Sequence, residues 1–278
     1  MIDRRALIER IAVNAALNAR AHALVLAGQD RSWGTEVFGL AGGHAVLCGP
    51  GLYVNRAIAV GLTGPMSAAD FELLEQRSAI VGVPPAVDVT PTTDGSVIDL
   101  AAVRGYRLLR FLTTHVLPLD GTIEAALPSD PSIIVECADG ETLGVWQDVS
   151  AVGFDVAEGD ARRVNDAFAR AAAVVDRDGL LLARDAADGR PLGCASVTIR
   201  DGLATLGAMS TLPTHRRRGV QRALIAHRVR LASERGCDLA VGSTLPANAS
   251  ERNLVRIGFR PLYETVTLAT APRGSGSS

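Results

Sequence analysis

The sequence predicts an α/β protein, with a mixed (α+β) sheet that carries helices on its faces. Three observations lead to this class. The C-terminal half alternates short β-rich runs with segments whose apolar residues recur at helical spacing. The N-terminal half repeats that order more faintly. The length of 278 residues is close to twice that of a ~150-residue domain, so we expect two domains.

In the C-terminal half the predicted order is β-α-β-β-β-α-β-α-β. Gly202, in the pair Asp201-Gly202, predicts a two-residue hairpin turn, and Gly236 is expected to end the long helix. The strands are predicted at 132–137, 180–185, 191–200, 203–211, 238–243 and 259–270. One helical region is predicted to begin at 145–156 and to continue with helical spacing at 160–175, and helices are predicted at 218–235 and 249–257.

In the N-terminal half, Ser67 followed by Asp70 predicts the start of a helix. Strands are predicted at 45–48, 56–61, 86–90 and 107–117, and helices at 67–78 and 95–103. The residues 104–107 (Arg-Gly-Tyr-Arg) are similar to 257–260 (Ile-Gly-Phe-Arg). This similarity favours a tandem duplication, and the alternative is an unrelated α/β domain.

Prolines mark the expected domain boundary. Pro118, Pro128 and Pro131 lie in a stretch without periodicity, which predicts a linker at 119–131. The expected domains are then 1–118 and 132–270, followed by a flexible tail at 271–278. Split near 130, the N-terminal part has 10 Arg and 13 acidic residues, and the C-terminal part has 18 Arg and 17 acidic residues.

The basic residues exclude several classes of chemistry. All 28 of them are Arg, so a Walker phosphate loop and Schiff-base catalysis, which both need Lys, are excluded. The formal net charge of -2 argues against a general nucleic-acid or membrane binder.

The cysteines predict neither a metal site nor a disulfide framework. Cys48, Cys137, Cys194 and Cys237 are far apart, and no His lies at ligand spacing. We interpret them as buried, reduced thiols of a cytoplasmic protein. The protein is expected to be a monomer or a homodimer. Polar residues interrupt the N-terminal segment, which predicts neither a signal peptide nor a membrane span.

One segment carries a clear chemical signal. Between 216 and 235 there are seven Arg and one acidic residue, where a predicted strand ends and a helix begins. The first N–H groups of a helix have no partner within the helix and can bind an anion. Gly219 removes a side chain, so that an oxygen-rich group can approach the backbone. Together these features predict a pyrophosphate site.

The alternative is that the arginines cover a solvated helix face. Arg222, Arg228, Arg230 and Arg235 fit that alternative. The run 216–218 fits it less well, because like charges crowded at a positive helix end repel each other.

The pattern Pro213-x-x-Arg216-Arg217-Arg218-Gly219-Val220-Gln221-x-x-Leu224 resembles the acyl-CoA-binding motif of the GNAT superfamily of N-acetyltransferases. The segment from Gly236 to Phe259 resembles the strand, helix and Gly-Phe turn that follow it in that family. The resemblance covers 132–270. It implies a GNAT-like N-acyltransferase fold. If 1–118 is a degenerate copy, we expect it to have lost cofactor binding, because 63–70 contains no arginine and Asp70 would repel phosphate.

The resemblance also implies which residues bind the cosubstrate, acetyl-CoA. Backbone groups of Met209, Ser210 and Thr211 should face the acetyl and pantetheine part. Asn253 should contact the cofactor arm. The pyrophosphate should be held by Arg216, Arg217, Arg218, Gly219, Val220, Gln221 and Arg222. Gln221 departs from the usual Gly or Ala and is expected to form a hydrogen bond to the cofactor. No metal is expected.

The residues that would catalyse the reaction are less well marked. The resemblance implies attack of an amine on the thioester and an oxyanion held by a backbone N–H near Ser210. Leu254 stands where the family commonly has a proton-donating Tyr. Tyr263 is a candidate replacement, on the expectation that its strand runs beside 203–211. His215 is a weak candidate for the base, and His227 is interpreted as a surface residue.

These inferences predict an N-acetyltransferase that transfers the acetyl group of acetyl-CoA directly to a primary amine in a ternary complex. The missing Tyr leaves a non-catalytic acyl-CoA-binding regulatory module as the alternative. The third possibility, a structural pseudo-dimer partner without a ligand, is opposed by the cluster of arginines. The acceptor could be a small amine, an amino acid, an antibiotic or a protein N-terminus. No nucleic acid or membrane is expected as a partner.

Overall fold

The computed structural model describes residues 3–52, 54–121, 127 and 130–271. The predicted flexible tail at 271–278 lies outside these residues except for its first position, as does much of the predicted linker. Two compact units divide the chain: Met1–Thr113 with Tyr263–Ser278, and Thr114–Leu262. The prediction instead placed the boundary at 119–131 and assigned 263–270 to the second domain.

The described helices are α1 (Arg4–Gln29), α2 (Ala68–Val81), α3 (Gly95–Val103), α4 (Leu143–Gly153), α5 (Gly159–Val175), α6 (Val220–Glu234) and α7 (Ala249–Ile257). The strands are β1 (Glu36–Leu40), β2 (Gly43–Leu47), β3 (Arg56–Ile58), β4 (Ala86–Val89), β5 (Arg107–Pro118), β6 (Ile133–Cys137), β7 (Leu180–Asp185), β8 (Pro191–Arg200), β9 (Leu203–Thr211), β10 (Leu239–Thr244) and β11 (Arg260–Ala269). This mixture of strands and helices confirms the predicted α/β class.

In the first unit, the strands follow the order β1-β2-β3-β4-β11, and β5 lies next to β11. The pair β3/β4 is parallel, whereas β1/β2, β2/β3 and β4/β11 are antiparallel. Phe71 of α2 lies in the core and meets the ring of Tyr106 edge-on, with 5.4 Å between the centroids. Such a contact stabilises an aromatic pair beyond the burial of its area.

The first helix belongs to the core of this unit. By length and hydropathy α1 could cross a membrane, but 44% of its most apolar window is buried within the protein. Ala12 and Ala16 pack against Ile58 and Ala59. Small residues at this spacing let the helix lie close to the sheet.

In the second unit, the strands follow the order β5-β10-β9-β8-β7-β6. The pairs from β6 to β9 are antiparallel, and β9/β10 is parallel. Alternate residues of β7 face opposite sides of the sheet. Leu180 and Leu182 share a cluster with Trp146 of α4, while Leu181 and Ala183 share one with Leu224 of α6. The two faces are therefore covered by different helices.

The same series of elements occurs twice along the chain. A parallel pair of strands joined by a helix, then a second helix and a last strand, occurs as β3-α2-β4-α3-β5 and as β9-α6-β10-α7-β11. Gly105 and Gly258 end the corresponding helices with positive φ angles of 75° and 112°. The last strand of each series crosses the division of the chain: residues 263–269 of β11 belong to the first unit, where β11 pairs with β4, and residues 114–118 of β5 belong to the second unit.

Candidate functional site

A cavity of about 630 Å³ lies in the second unit, between the end of β9, the start of α6 and one face of α7. The cavity is lined by Gly153, Met209, Ser210, Thr211, His215, Arg216, Arg217, Gly219, Val220, Gln221, Arg222, Ala249, Arg252, Asn253 and Arg256. Of the eleven predicted cofactor-binding residues, ten therefore come together at one cavity, and Arg218 does not line it.

The loop before α6 leaves the start of that helix open. A short 3-10 turn at Pro213–His215 leads to Arg217 and Gly219, whose φ angles are 65° and 83°. Gly219 is the N-cap of α6, and no side chain caps this helix. By contrast, Ser67 and Asp70 form a complete capping box at the start of α2. The first N–H groups of α6 are therefore available to an anion, as those of α2 are not.

The charge of the cavity wall is strongly positive. Five arginines line it, namely Arg216, Arg217 and Arg222 beside the helix start and Arg252 and Arg256 on α7, and the lining contains no carboxylate. A concave wall of one charge sign concentrates counter-ions of the opposite sign. The helix dipole adds about half a positive charge at the same place. Both features favour a multiply charged anion.

Arg218 turns away toward an acidic partner. Its Nη2 lies 2.9 Å from Oδ2 of Asp185 at the end of β7, and its Nη1 lies 3.3 Å from Nδ1 of His215. Hydrogen bonds from the backbone of Ala187 and from Arg218 lower the pKa of Asp185. The ion pair partly neutralises Arg218 and joins the loop to the end of β7. Arg218 therefore holds the loop in place and does not line the cavity.

The second half of β9, after Leu206, does not pair with β10. The parallel pairs run from Leu203 with Leu239 to Leu206 with Gly242. The antiparallel pairs with β8 continue to Thr211. The N–H of Leu212 donates to Leu192, so the alternation of a strand directs the N–H group of Thr211 away from β8, toward the side where β10 has diverged. Met209 lies in the irregular part of β9, which pairs with no residue of β8.

One buried polar atom at this site has no partner among the described residues. Thr211 Oγ1 is buried, and no hydrogen bond to it is found within the described chain. Such an atom is costly unless a ligand or water satisfies it. Together with Gly219, where the backbone approaches the cavity without a side chain, Thr211 makes the wall suited to an extended polar ligand.

The residues considered for proton transfer are scattered. His215 lines the cavity. His227 is half-buried on α6, and burial, followed by the charge of Arg230, lowers its pKa. The prediction that it lies on the surface is therefore only partly right. Leu254 is buried in the core, where its side chain packs over Gly242.

Tyr263 is buried in β11, a strand of the first unit. The expectation that its strand runs beside β9 is wrong, because the neighbours of β9 are β8 and β10. The sequence could not show this, since the choice of neighbours within a sheet depends on contacts distant along the chain.

Three other features differ from the sequence analysis. Arg228 is 1% exposed and does not belong to a solvated face. Arg252 and Arg256 join Ala249 and Asn253 on the cavity face of α7. Their spacing of three and four residues was a usable signal, because it puts them on one face of a helix. Cys137 is exposed, whereas the other three cysteines are buried.

Comparisons with known proteins show that this part of the chain is similar to acetyltransferases of the GNAT family. Residues 149–259 match the model of the acetyltransferase (GNAT) family. The match is a similarity of this segment, 111 of the 278 residues, to GNAT-family acetyltransferases. The matched segment includes β9, the loop and all of α6 and α7.

Solved structures share the fold over most of the chain. A GCN5-related N-acetyltransferase from Kribbella flavida has a TM-score of 0.63 at 19% identity, covering 89% of this chain and 95% of its own. A tandem GNAT protein from the clavulanic acid biosynthesis pathway has a TM-score of 0.58 at 18% identity, covering 80% and 76%. A GNAT-family acetyltransferase from Colwellia psychrerythraea has a TM-score of 0.53 at 15% identity, covering 84% of each chain. No curated protein matches the sequence.

Proposed function

We propose that the protein is a cytoplasmic N-acetyltransferase that transfers the acetyl group of acetyl-CoA to a primary amine. The observation that carries this proposal is the uncapped start of α6, which opens into a cavity lined by five arginines. This arrangement suits the pyrophosphate of CoA. The GNAT-family match of the surrounding segment supports acyl transfer as the class of reaction.

The proposed binding residues divide by the part of the ligand that they face. Arg216 and Arg217, with the N–H groups after Gly219, would hold the pyrophosphate. Arg222, Arg252 and Arg256 would bind the phosphate of CoA that is not part of the pyrophosphate, through their positive charge. Backbone N–H groups of β9 would bind the pantetheine and acetyl end. This division places charged donors on phosphate and neutral donors on amide and carbonyl oxygens.

The oxyanion of the transfer step needs a donor that is not used within the sheet. Ser210 pairs with Cys194 of β8, so its N–H faces the ladder by the alternation described above. We therefore assign this role to the N–H groups of Met209 and Thr211 in place of Ser210. Donors of this kind lower the barrier because they are already oriented when charge develops.

We further propose that the chain is a tandem duplication in which only the second copy has kept the cofactor site. The shared series of elements supports a duplication. The capping box of Ser67 and Asp70 supports the loss of the site from the first copy, because the carboxylate of Asp70 satisfies the helix end itself and would repel phosphate.

The experiment that tests the function is the release of CoA from acetyl-CoA in the presence of a panel of amines, with mass detection of the acetylated product. The panel should include small amines, amino acids, aminoglycosides and peptides. Turnover with one acceptor class supports the enzyme.

The second candidate is a non-catalytic acyl-CoA-binding module. It is favoured by Leu254, a buried residue with no proton to donate, which stands where the family commonly has a proton-donating Tyr. Tight binding of acetyl-CoA without turnover on any amine would support that module.

A further inference from the structure

A guanidinium group lies in the core of the second unit. Arg228, in the middle of α6, is 1% exposed. Its Nε donates to the carbonyl of Leu224 at 3.1 Å, and its Nη1 to the carbonyls of Ser196 at 3.0 Å and Gly207 at 3.2 Å. Its Nη2 lies 3.0 Å from the sulfur of Met209. These partners are carbonyl oxygens and a thioether, with no carboxylate among them.

The burial of this cation is costly. Removing a charged group from water is strongly unfavourable unless close partners replace the lost hydration. Burial lowers the pKa of Arg228 to about 9, which is still above neutral pH, so the group keeps its charge. An apolar residue of similar length would fill the same space without this cost. The reason for a buried cation at this position must therefore lie in the backbone groups that Arg228 holds in place.

The contacts of Arg228 converge on an irregularity in β9. Gly207 pairs with Ser196, but Ser210 pairs with Cys194, so three steps along β9 oppose two along β8. Ala208, within the extra length, has a φ angle of 35°. Such a bulge disrupts the ladder of hydrogen bonds and redirects the strand. The two carbonyls bound by Nη1 are those of the last regular pair before the bulge.

The bulge also lies at the point where β9 separates from β10. The last parallel pair joins Leu206 and Gly242, directly before Gly207. Met209, which contacts Nη2 of Arg228, lines the cavity. The guanidinium thus connects the end of the regular sheet with the first residue of β9 that lines the cavity.

We propose that Arg228 is a positioning residue, which holds the bulge of β9 so that the N–H groups of Met209 and Thr211 are aimed at the acyl carbonyl. This inference rests on the proposed function and deepens it, because it assigns the geometry of the oxyanion donors to one side chain. Arg228 acts through β9 and does not touch the ligand.

The test compares three variants with the parent. Arg228→Met keeps the length and removes every donor. Arg228→Lys keeps the charge but lacks the planar fork that reaches two carbonyls at once. Arg230→Met is the matched control, since Arg230 lies on the same helix and its Nη2 reaches the carbonyl of Leu127 instead. Each protein is assayed for acetyl-CoA affinity by calorimetry and for CoA release by water or an amine.

A spectroscopic measurement separates positioning from stability. The thioester carbonyl of [1-¹³C]acetyl-CoA is followed by isotope-edited infrared spectroscopy in the bound state. Well-aimed N–H donors polarise this carbonyl and lower its stretching frequency. We expect the parent and Arg230→Met to show the lowered frequency and Arg228→Met to lose it, with acetyl-CoA affinity within about threefold of the parent because the phosphate contacts remain.

Turnover of Arg228→Met should fall by about 10²-fold, the effect of removing one oxyanion donor, and that of Arg228→Lys by about tenfold. If Arg228→Met is folded and binds acetyl-CoA with the parent's carbonyl frequency and turnover, the inference is wrong. If that variant does not fold, an unchanged frequency and turnover in Arg228→Lys overturns it equally. A parent that binds no acetyl-CoA overturns the proposed function, and this inference with it.

Discussion

The side chain of Asn253 on α7 donates a hydrogen bond from Nδ2 to Oε1 of Gln221 in the first turn of α6. Both residues line the cavity, so the bond joins two of its walls. Arg256 extends the contact, with Nη1 3.4 Å from Oδ1 of Asn253. A ligand that enters between α6 and α7 must break this bridge or pass beside it. Gln221 was expected to bind the cofactor itself, and the structure gives it this second partner.

We predict that Gln221→Ala accelerates the association of CoA. Removing a net hydrogen bond of about 1 kcal/mol should raise the association rate roughly fivefold, measured by stopped-flow fluorescence with a labelled CoA. Asn253→Ala removes the same bridge from the other side and should accelerate association by a similar factor. If Gln221 instead binds the cofactor, Gln221→Ala will weaken CoA binding through faster dissociation.

The arginine cluster gives the second prediction. CoA at 100 times its dissociation constant should stabilise the parent by about 2.7 kcal/mol, visible as a raised melting temperature. Gly219→Val should abolish this shift, because a β-branched residue is strained at a φ of 83° and blocks the backbone approach. The double variant Arg216→Ala, Arg217→Ala should abolish it as well.

Arg218→Ala serves as the control for that experiment. Its partner is Asp185, and it does not line the cavity. The shift caused by CoA should therefore remain, although the melting temperature without ligand should fall. Equal losses in all three variants would mean that the loop as a whole, rather than the lining arginines, provides affinity.

Most of the site could be predicted because its residues are contiguous. Met209–Thr211 and 216–222 need only a strand, a loop and a helix start to come together, and local patterns reveal those elements. Arg228 shows the limit of that reasoning. Its position, four residues after Leu224 and four before Ala232, puts it on the buried face of α6. The charge suggested a solvated residue, whereas the spacing already indicated the core.

The exchange of the last strands could not be predicted in the same way. The sequence around Gly105 and Gly258 is similar, and it gives two similar helix ends. Nothing in either copy determines that β11 pairs with β4. This choice depends on contacts between strands that are distant along the chain, which a local pattern does not contain.

The third prediction is one CoA site per chain. In the first unit, Asp70 accepts from the backbone N–H of Ser67 at 2.8 Å, and Ser67 Oγ accepts from the N–H of Asp70 at 3.2 Å. The helix end that would receive a phosphate is thereby satisfied internally. Isothermal titration calorimetry should give a stoichiometry of one. Two sites of equal affinity would contradict the proposed loss of the first.

Acid conditions give the fourth prediction. Hydrogen bonds from the backbone of Ala187, and then from Arg218, lower the pKa of Asp185 from 3.8. Because the folded-state pKa is lowered, the stabilisation is complete above the unfolded value and is lost as the pH falls below it. Asp185→Asn should be less stable than the parent at pH 6, and the difference should shrink between pH 4 and pH 2. A constant difference in the unfolding midpoint over this range would show that the carboxylate charge has no role.

The last prediction concerns the proton donor for the departing thiolate. Tyr263 was the sequence-based candidate, and its place on β11, between β4 and β5, removes the reason for that choice. Tyr263→Phe should therefore keep turnover within about twofold of the parent, whereas loss of a true general acid would lower turnover by about 10²-fold or more.

The matched variant is Leu254→Tyr. It places a hydroxyl at the position where the family commonly has its proton-donating Tyr. Leu254 is 3% exposed and packs over Gly242, so the larger ring should lower the melting temperature. If water now protonates the thiolate, Leu254→Tyr should raise turnover above pH 7, where hydronium is scarce, and have less effect at lower pH. A large loss in Tyr263→Phe, with acetyl-CoA affinity unchanged, would instead restore Tyr263 as the acid.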